Sequence, residues 1–243
     1  MSTLIAASVV ISVVVVVLWL FGTLWRVRQS PSEGRTAIAA GVVLAAWAAL
    51  LLALAANDVF RPRPGQVVPA VGLAFASALI VWWGSLVASP SLARLFARAQ
   101  PSLVRMHLWR LLGPFVFFYL LAQGRLPALF ALPAGLGDFA IGVTALSMAR
   151  ALDRLPRSPV VLWHAFGVLD LVVALTMGVT TNPGPANVFR TSPSSVVVTS
   201  FPFVLIPTFL VPMALTLHAV SLRLIAEGRP SRSLPPESSP VRA

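Results

Sequence analysis

Seven long apolar runs alternate with short polar connections along this chain. Each run is close to the roughly 20 residues that a helix needs to cross the apolar core of a bilayer, and prolines and glycines interrupt the chain between runs. The pattern predicts an all-α fold: a polytopic transmembrane bundle of about seven helices in one domain, residues 1–227. The runs cover residues 4–25, 36–56, 67–88, 103–122, 126–149, 159–180 and 198–224.

The two ends of the chain differ in character. The first run has no positive side chain before it, is too long for a signal peptide and has no cleavage site after it, so it predicts an uncleaved first helix. Residues 228–243 contain four prolines and several serines, which is typical of a disordered tail.

Arginines fall unevenly among the connections. The first, third and fifth connections hold three arginines each and the tail holds four, whereas the alternate connections hold one or two. Because positive residues are retained on the cytoplasmic side, we predict an outside N-terminus and a cytoplasmic C-terminus. The absence of lysine and the small number of asparagines, beside many alanines, valines and arginines, suggest a GC-rich bacterium, so the expected location is the bacterial inner membrane.

Composition removes several classes of function. Hydrophobic residues make up 58% of 243 and charged residues only 10%, which is typical of a membrane protein whose main partner is the lipid bilayer. The net charge of +11 comes from arginines in the connections, so no nucleic-acid-binding surface is predicted. There is no lysine for a retinal Schiff base and no cysteine for a disulfide, a thiolate nucleophile or a metal ligand.

Six of the ionisable residues in the last four runs are candidate site residues. Asp138 and Asp170 are about 16 Å from the ends of their runs at 1.5 Å per residue, near the bilayer midplane. Ionisable groups at that depth indicate a functional site, and together the six suggest a polar pocket open to the cytoplasm. The other four are Arg110, His107, His164 and His218.

Each of these residues also has a structural interpretation. Arg110 either pairs with an aspartate or extends along its helix to the interface. His107 and His218 lie near enough to the interface to be ordinary solvated histidines. Asp138, among small residues, and Asp170 could each make a hydrogen bond that only joins two helices.

Two further segments have unusual patterns. Pro202, Pro207 and Pro212 interrupt the start of the seventh run, and this predicts kinks or a non-helical start buried in protein or lining a cavity, or else a helix that begins near Pro207. Residues 91–100 place apolar side chains opposite Arg94 and Arg98, which fits either a short interfacial helix or an ordinary loop.

The residues support several functional hypotheses. A carrier of a small molecule or proton, or a ligand sensor, needs only a polar midplane pocket, whereas a structural or partner-binding protein would use the same residues to join helices. A metalloenzyme would use His164, His218, Asp138 and Asp170 as metal ligands, but no two of them have the spacing that places two ligands on one helix face. The hypothesis of a haem bound between His164 and His218 depends on the matching depth of these two residues. No serine–histidine pair suggests a nucleophile.

Several stretches of the second half together resemble a family of bacterial multi-pass membrane proteins with no established activity. In that family asparagine often stands where this chain has His164, which disfavours a metal or haem ligand there. The resemblance implies a membrane helical fold and no substrate, reaction or cofactor. The stretches are His107–Arg110, Pro133–Asp138, Thr144–Ala145, Trp163–Leu171, Phe201–Pro212 and Leu217–His218.

The sequence therefore predicts an integral membrane protein with an inward-facing pocket for a small ligand or proton, and it favours no enzyme activity. In this hypothesis Arg110 is the countercharge, and Asp138 and Asp170 hold polar ligand groups or a proton. His107 and His218 line the entrance. The cofactor, if any, and the oligomeric state are not determined by the sequence.

Overall fold

The computed structural model describes residues 3–62 and 70–228, and the regular structure in these ranges is helical without strands. The predicted tail therefore falls, apart from Gly228, outside the described residues. The α-helices are α1 (Thr3–Arg26), α2 (Pro31–Ala56), α3 (Ala70–Ala88), α4 (Pro90–Met106), α5 (Leu112–Ala122), α6 (Ala128–Ala151), α7 (Arg157–Thr180) and α8 (Val211–Ala226).

Six helical segments are long and apolar enough to cross a membrane. They correspond to six of the seven apolar runs, and the last of them includes the turn that precedes α8. The remaining run, 103–122, is helical but is not one regular α-helix. The segments are α1, α2, α3, α6, α7 and Ile206–Ala226.

The interruption in the fourth run is a 3₁₀ turn, His107–Leu111, that joins α4 directly to α5. Pro114 lies at the start of α5 and has no amide hydrogen for the carbonyl of Arg110, four residues earlier. The backbone tightens before this position, and residues 90–122 form one continuous helical rod with a change of winding at His107–Leu111.

The helix α4 lies within the bundle. It packs against α1, α2, α3, α6 and α8, and its apolar residues Leu92, Leu95 and Phe96 are buried. The expectation of a short interfacial helix at 91–100 is therefore wrong in one respect: the segment is helical, but its apolar face is covered by neighbouring helices instead of lipid. A glutamate on α2, Glu33, forms ion pairs with two of the three arginines of α4, Arg94 and Arg98.

In the seventh run the continuous helical segment begins at Ile206 instead of at residue 198, and regular α-helix begins at Val211. A 3₁₀ turn (Ser195–Thr199) and non-helical turns come first, and a π-helical turn (Ile206–Leu210) then leads into α8. Pro207 and Pro212 cannot donate the backbone bonds that a regular α-helix needs there. The side chains of this irregular stretch are mostly buried, as irregular backbone in a membrane bundle requires.

Candidate functional site

Arg110 lies at the centre of a group of six ionisable residues that we call the buried polar cluster. Its side chain is 0% exposed, and it forms ion pairs with both aspartates. Its Nε donates to Asp138 Oδ1 at 2.7 Å, and its Nη2 donates to Asp170 Oδ2. One guanidinium therefore joins the two carboxylates. The cluster consists of Arg110, Asp138, Asp170, His107, His164 and His218.

The other terminal nitrogen of Arg110 fixes the proton positions on two histidines. Nη1 lies 3.4 Å from the Gly167 carbonyl oxygen and 3.2 Å from His218 Nε2. A guanidinium only donates, so His218 Nε2 must accept and a neutral His218 carries its proton on Nδ1. His218 Nδ1 lies 2.9 Å from His164 Nδ1, which must then accept, leaving the His164 proton on Nε2. The geometry therefore assigns neutral tautomers to both rings.

His107 packs against these rings without a hydrogen bond of its own. Its ring stacks on that of His218 with centroids 3.9 Å apart, and Trp163 contacts the rings of His107, His164 and His218. Within the described residues, both nitrogens of His107 and the Nε2 of His164 have no hydrogen-bond partner. A neutral His107 therefore keeps one lone pair that can accept a proton.

The 3₁₀ turn explains why His107 and Arg110 reach the same place. Side chains three residues apart eclipse one another in a 3₁₀ helix, so both project to one side of the rod. Asp138 comes from α6, His164 and Asp170 from α7, and His218 from α8. The cluster thus joins the rod to the three helices that follow it in the chain.

Three glycines provide the space for the charged groups. A β-carbon on Gly113 would overlap the Asp138 carboxylate, one on Gly137 would overlap the Asp170 carboxylate, and one on Gly167 would overlap the His218 ring. Small residues at helix contacts allow backbones to approach closely. Here the space that they leave is filled by polar side chains.

The charges in the cluster do not balance if both carboxylates are ionised. Two negative charges face one guanidinium. His218 and His164 are neutral, because each uses one ring nitrogen as a hydrogen-bond acceptor. Within residues 3–62 and 70–228, no second cation forms an ion pair with either aspartate. The aspartates are 7% exposed and the four other members are 0% exposed. An uncompensated charge at such a site is costly, so one additional positive charge, such as a proton, is required.

All five residues expected to form the pocket are brought together. Arg110 pairs with the aspartates instead of extending to the interface. His107 and His218 are both fully buried, so the expectation that they are solvated is wrong, whereas their position at the entrance of an inward-facing pocket stays a prediction.

The two hypotheses that involve a metal have less geometric support. No group of three or more His, Cys, Asp or Glu side chains in the described part of the chain is arranged to hold a metal ion. The Nδ1 atoms of His164 and His218 are within hydrogen-bond distance of each other, and this leaves no room for a porphyrin between them.

The sequence did not reveal the roles of Gly113 and Gly137 or the ion pairs of Glu33. Gly113 follows Arg110 by three residues and Gly137 directly precedes Asp138, but the carboxylate that each glycine makes room for lies on another helix. Glu33 sits in the first turn of α2, where an acidic residue is ordinary. Its contact with α4, about sixty residues away, needs the tertiary fold.

Comparison with known proteins gives a placement without an activity. A family model described as a domain of unknown function, DUF8737, matches residues 67–226, which include the whole buried polar cluster. No curated protein and no solved structure matches the chain.

Proposed function

This chain belongs to the DUF8737 family, whose function is unknown, and we propose a role from the cluster itself: it is a multi-pass membrane protein that binds and transfers one proton. The observation that carries this proposal is that Asp138 and Asp170 share a single buried guanidinium. One proton on the pair brings the cluster to neutrality. Release of this proton leaves a net negative charge in a dry interior. Proton binding and release therefore depend on the charged and polar groups that surround the cluster.

The histidines provide the neighbouring proton carriers. A chain of hydrogen bonds runs from Arg110 through His218 to His164, and the outer nitrogen of His164 is free of protein partners among the described residues. His107, stacked on His218, offers a free lone pair beside this chain. Histidine exchanges protons near neutral pH when its surroundings permit. We propose that the rings exchange a proton with the aspartates directly, because a guanidinium does not release its protons and Arg110 therefore cannot relay one.

The proposal also specifies a seventh membrane crossing and an orientation, in addition to the six long apolar helices. The rod formed by residues 90–122 is the additional crossing: its 33 residues correspond to about 50 Å at 1.5 Å per residue, longer than a bilayer core of about 30 Å. The arginine distribution supports an outside N-terminus and a cytoplasmic C-terminus in a bacterial inner membrane.

Thiol labelling tests this topology because the chain has no cysteine of its own. Gln123→Cys and Asp153→Cys place single thiols at exposed positions of successive connections. In intact cells, an impermeant reagent is expected to label the thiol at position 123 and to spare that at position 153 until lysis. Labelling of both, or the reverse pattern, overturns the proposed orientation.

Infrared spectroscopy during a pH titration tests proton binding. The purified protein is expected to show the carbonyl band of a protonated buried carboxyl, which disappears at high pH and is absent from Asp138→Asn or Asp170→Asn. Asp153→Asn, an exposed acid, is the matched control and retains the band. A protein with no such band at any pH at which it stays folded does not hold the proposed proton.

Vesicles with an entrapped pH dye test proton transfer. An imposed pH gradient is expected to collapse faster with the wild-type protein than with Asp138→Asn or His107→Phe, at equal protein content. Equal rates for the wild type, the variants and protein-free vesicles would exclude transfer and leave proton binding alone.

A structural role is the second candidate, and the complete burial of the cluster favours it. Side chains that fill the space beside Gly113, Gly137 and Gly167 hold four helical segments together without needing to move. In that case Asp138→Asn lowers thermal stability without changing the pH dependence. Elemental analysis and an absorption spectrum of protein purified without chelator test the metal and haem hypotheses independently.

A further inference from the structure

A groove lies between α2 and α3, away from the buried polar cluster. Both helices pack on α4 and on the π-helical turn, and the groove between them has a volume of about 240 Å³. Its walls include Ala39, Ala40 and Val43 of α2 and Val81 and Trp82 of α3. Val43 and Val81 are 49% and 40% exposed, so the groove opens to the outside of the bundle, where lipid lies in the proposed membrane arrangement.

The groove is long and narrow. A smaller hollow bordered by Leu44, Trp47 and Ala78 continues it along both helices. Between Thr36 and Val43 the groove extends about 10 Å along α2 at 1.5 Å per residue, and the smaller hollow adds only about 10 Å³, so the groove matches the first part of an extended apolar chain better than a compact molecule.

One end of the groove is polar and positively charged. Thr36, Ser85 and Ser89 line this end, and Glu33 lies one helical turn before Thr36. Glu33 is shared by Arg94 and Arg98, so two guanidiniums face one carboxylate and the group has a net charge of +1. The Arg94 side chain remains 54% exposed, so it is accessible to an anion beside the groove.

We propose that the groove binds one acyl chain of an anionic phospholipid, with the phosphate of its headgroup beside Arg94. An acyl chain fits the apolar walls and the length. The net positive charge at the polar end selects an anionic headgroup over a zwitterionic one, since arginines attract acidic lipids at a membrane surface. The proposal rests on the membrane location but not on proton binding, because the groove and the cluster share no residue.

Native mass spectrometry of the full-length protein in detergent tests this site. Phosphatidylglycerol and phosphatidylcholine with the same acyl chains are the probes, supplied in equal amounts. The wild type is expected to retain one phosphatidylglycerol under conditions that remove phosphatidylcholine. Equal retention of the two lipids overturns the charge selection, and retention of neither overturns the site.

Two pairs of variants test separately how the groove and the positive charge at its end contribute to lipid binding. Ala40→Trp fills the groove and is expected to abolish retention, whereas Ala45→Trp, at an exposed position of the same helix outside the groove, preserves it. Arg94→Gln is expected to lower the preference for phosphatidylglycerol about fivefold. Arg61→Gln, which alters a similarly exposed ion-paired arginine near the other end of α2, leaves it unchanged.

The remaining outcomes decide against the proposal. If Ala40→Trp retains lipid as Ala45→Trp does, the lipid binds elsewhere. If the wild type forms a dimer that Ala40→Trp disrupts, a second copy occupies the groove instead of lipid. Arg94→Gln leaves Glu33 paired with Arg98, so the charge test stands even if the tryptophan variant does not fold.

Discussion

The carboxylate of Asp170 occupies the space that a β-carbon on Gly137 would fill. Gly137 and Asp170 lie on α6 and α7, so the absence of one side chain determines whether the other can reach Arg110. The glycines at 113 and 167 stand in the same relation to Asp138 and His218. The buried polar cluster therefore depends on uncharged residues as much as on its charged ones.

Gly137→Ala is expected to destabilise the protein by about 1–3 kcal/mol, because the added methyl group displaces Asp170 from Arg110. Gly84→Ala is the matched control: a β-carbon there meets nothing within 4 Å, and alanine in a helix interior stabilises by about 0.5–1 kcal/mol. Thermal unfolding in detergent measures both. Equal stability of the two variants would show that Asp170 is not held in this position.

Arg110→Gln is expected to cost about 3–5 kcal/mol, because it leaves two buried carboxylates without their cation. Arg105→Gln makes the same chemical change at an exposed position of the same rod and is expected to have little effect. Denaturation monitored by helical circular dichroism compares the two. A cost for Arg110→Gln no greater than that for Arg105→Gln would contradict the ion pairs.

The two aspartates are expected to be strongly non-additive. Either Asp138→Asn or Asp170→Asn leaves one carboxylate for Arg110 and costs little, whereas the double variant leaves the guanidinium uncompensated and costs about 3–5 kcal/mol. The same unfolding measurement on the two single variants and the double variant gives the coupling free energy between the two aspartates. Large costs for both single variants would mean that both carboxylates are ionised and that no proton is shared.

Nitrogen NMR of protein labelled at histidine is expected to show His218 protonated on Nδ1 and His164 on Nε2 at neutral pH. Arg110 enforces this pattern, since it can only donate to His218. The chain has three histidines, so His107→Gln and His164→Gln assign the signals by subtraction. A doubly protonated His218, or the opposite tautomers, would contradict the hydrogen-bond chain.

The helical fold and the approximate ends of most of the long apolar helices could be predicted, because long apolar runs favour helices of the length that a bilayer requires. The irregular start of the seventh run also followed from its prolines, which change backbone bonding locally. The sequence could not predict what covers the apolar face of residues 91–100. Their amphipathic pattern requires an apolar environment for one face, but lipid and neighbouring helices satisfy it equally well.

The sequence by itself determined which ionisable residues lie deep in apolar runs, since helical rise converts position into depth. It also determined that the acids there outnumber the arginines. Only the tertiary structure decided that Arg110 reaches both Asp138 and Asp170 and that the histidines are sealed from solvent. The depth of a residue is a property of one helix, whereas ion pairing depends on the rotation and spacing of four helical segments. Glycines such as Gly113 and Gly137 set this spacing through contacts with residues distant in sequence.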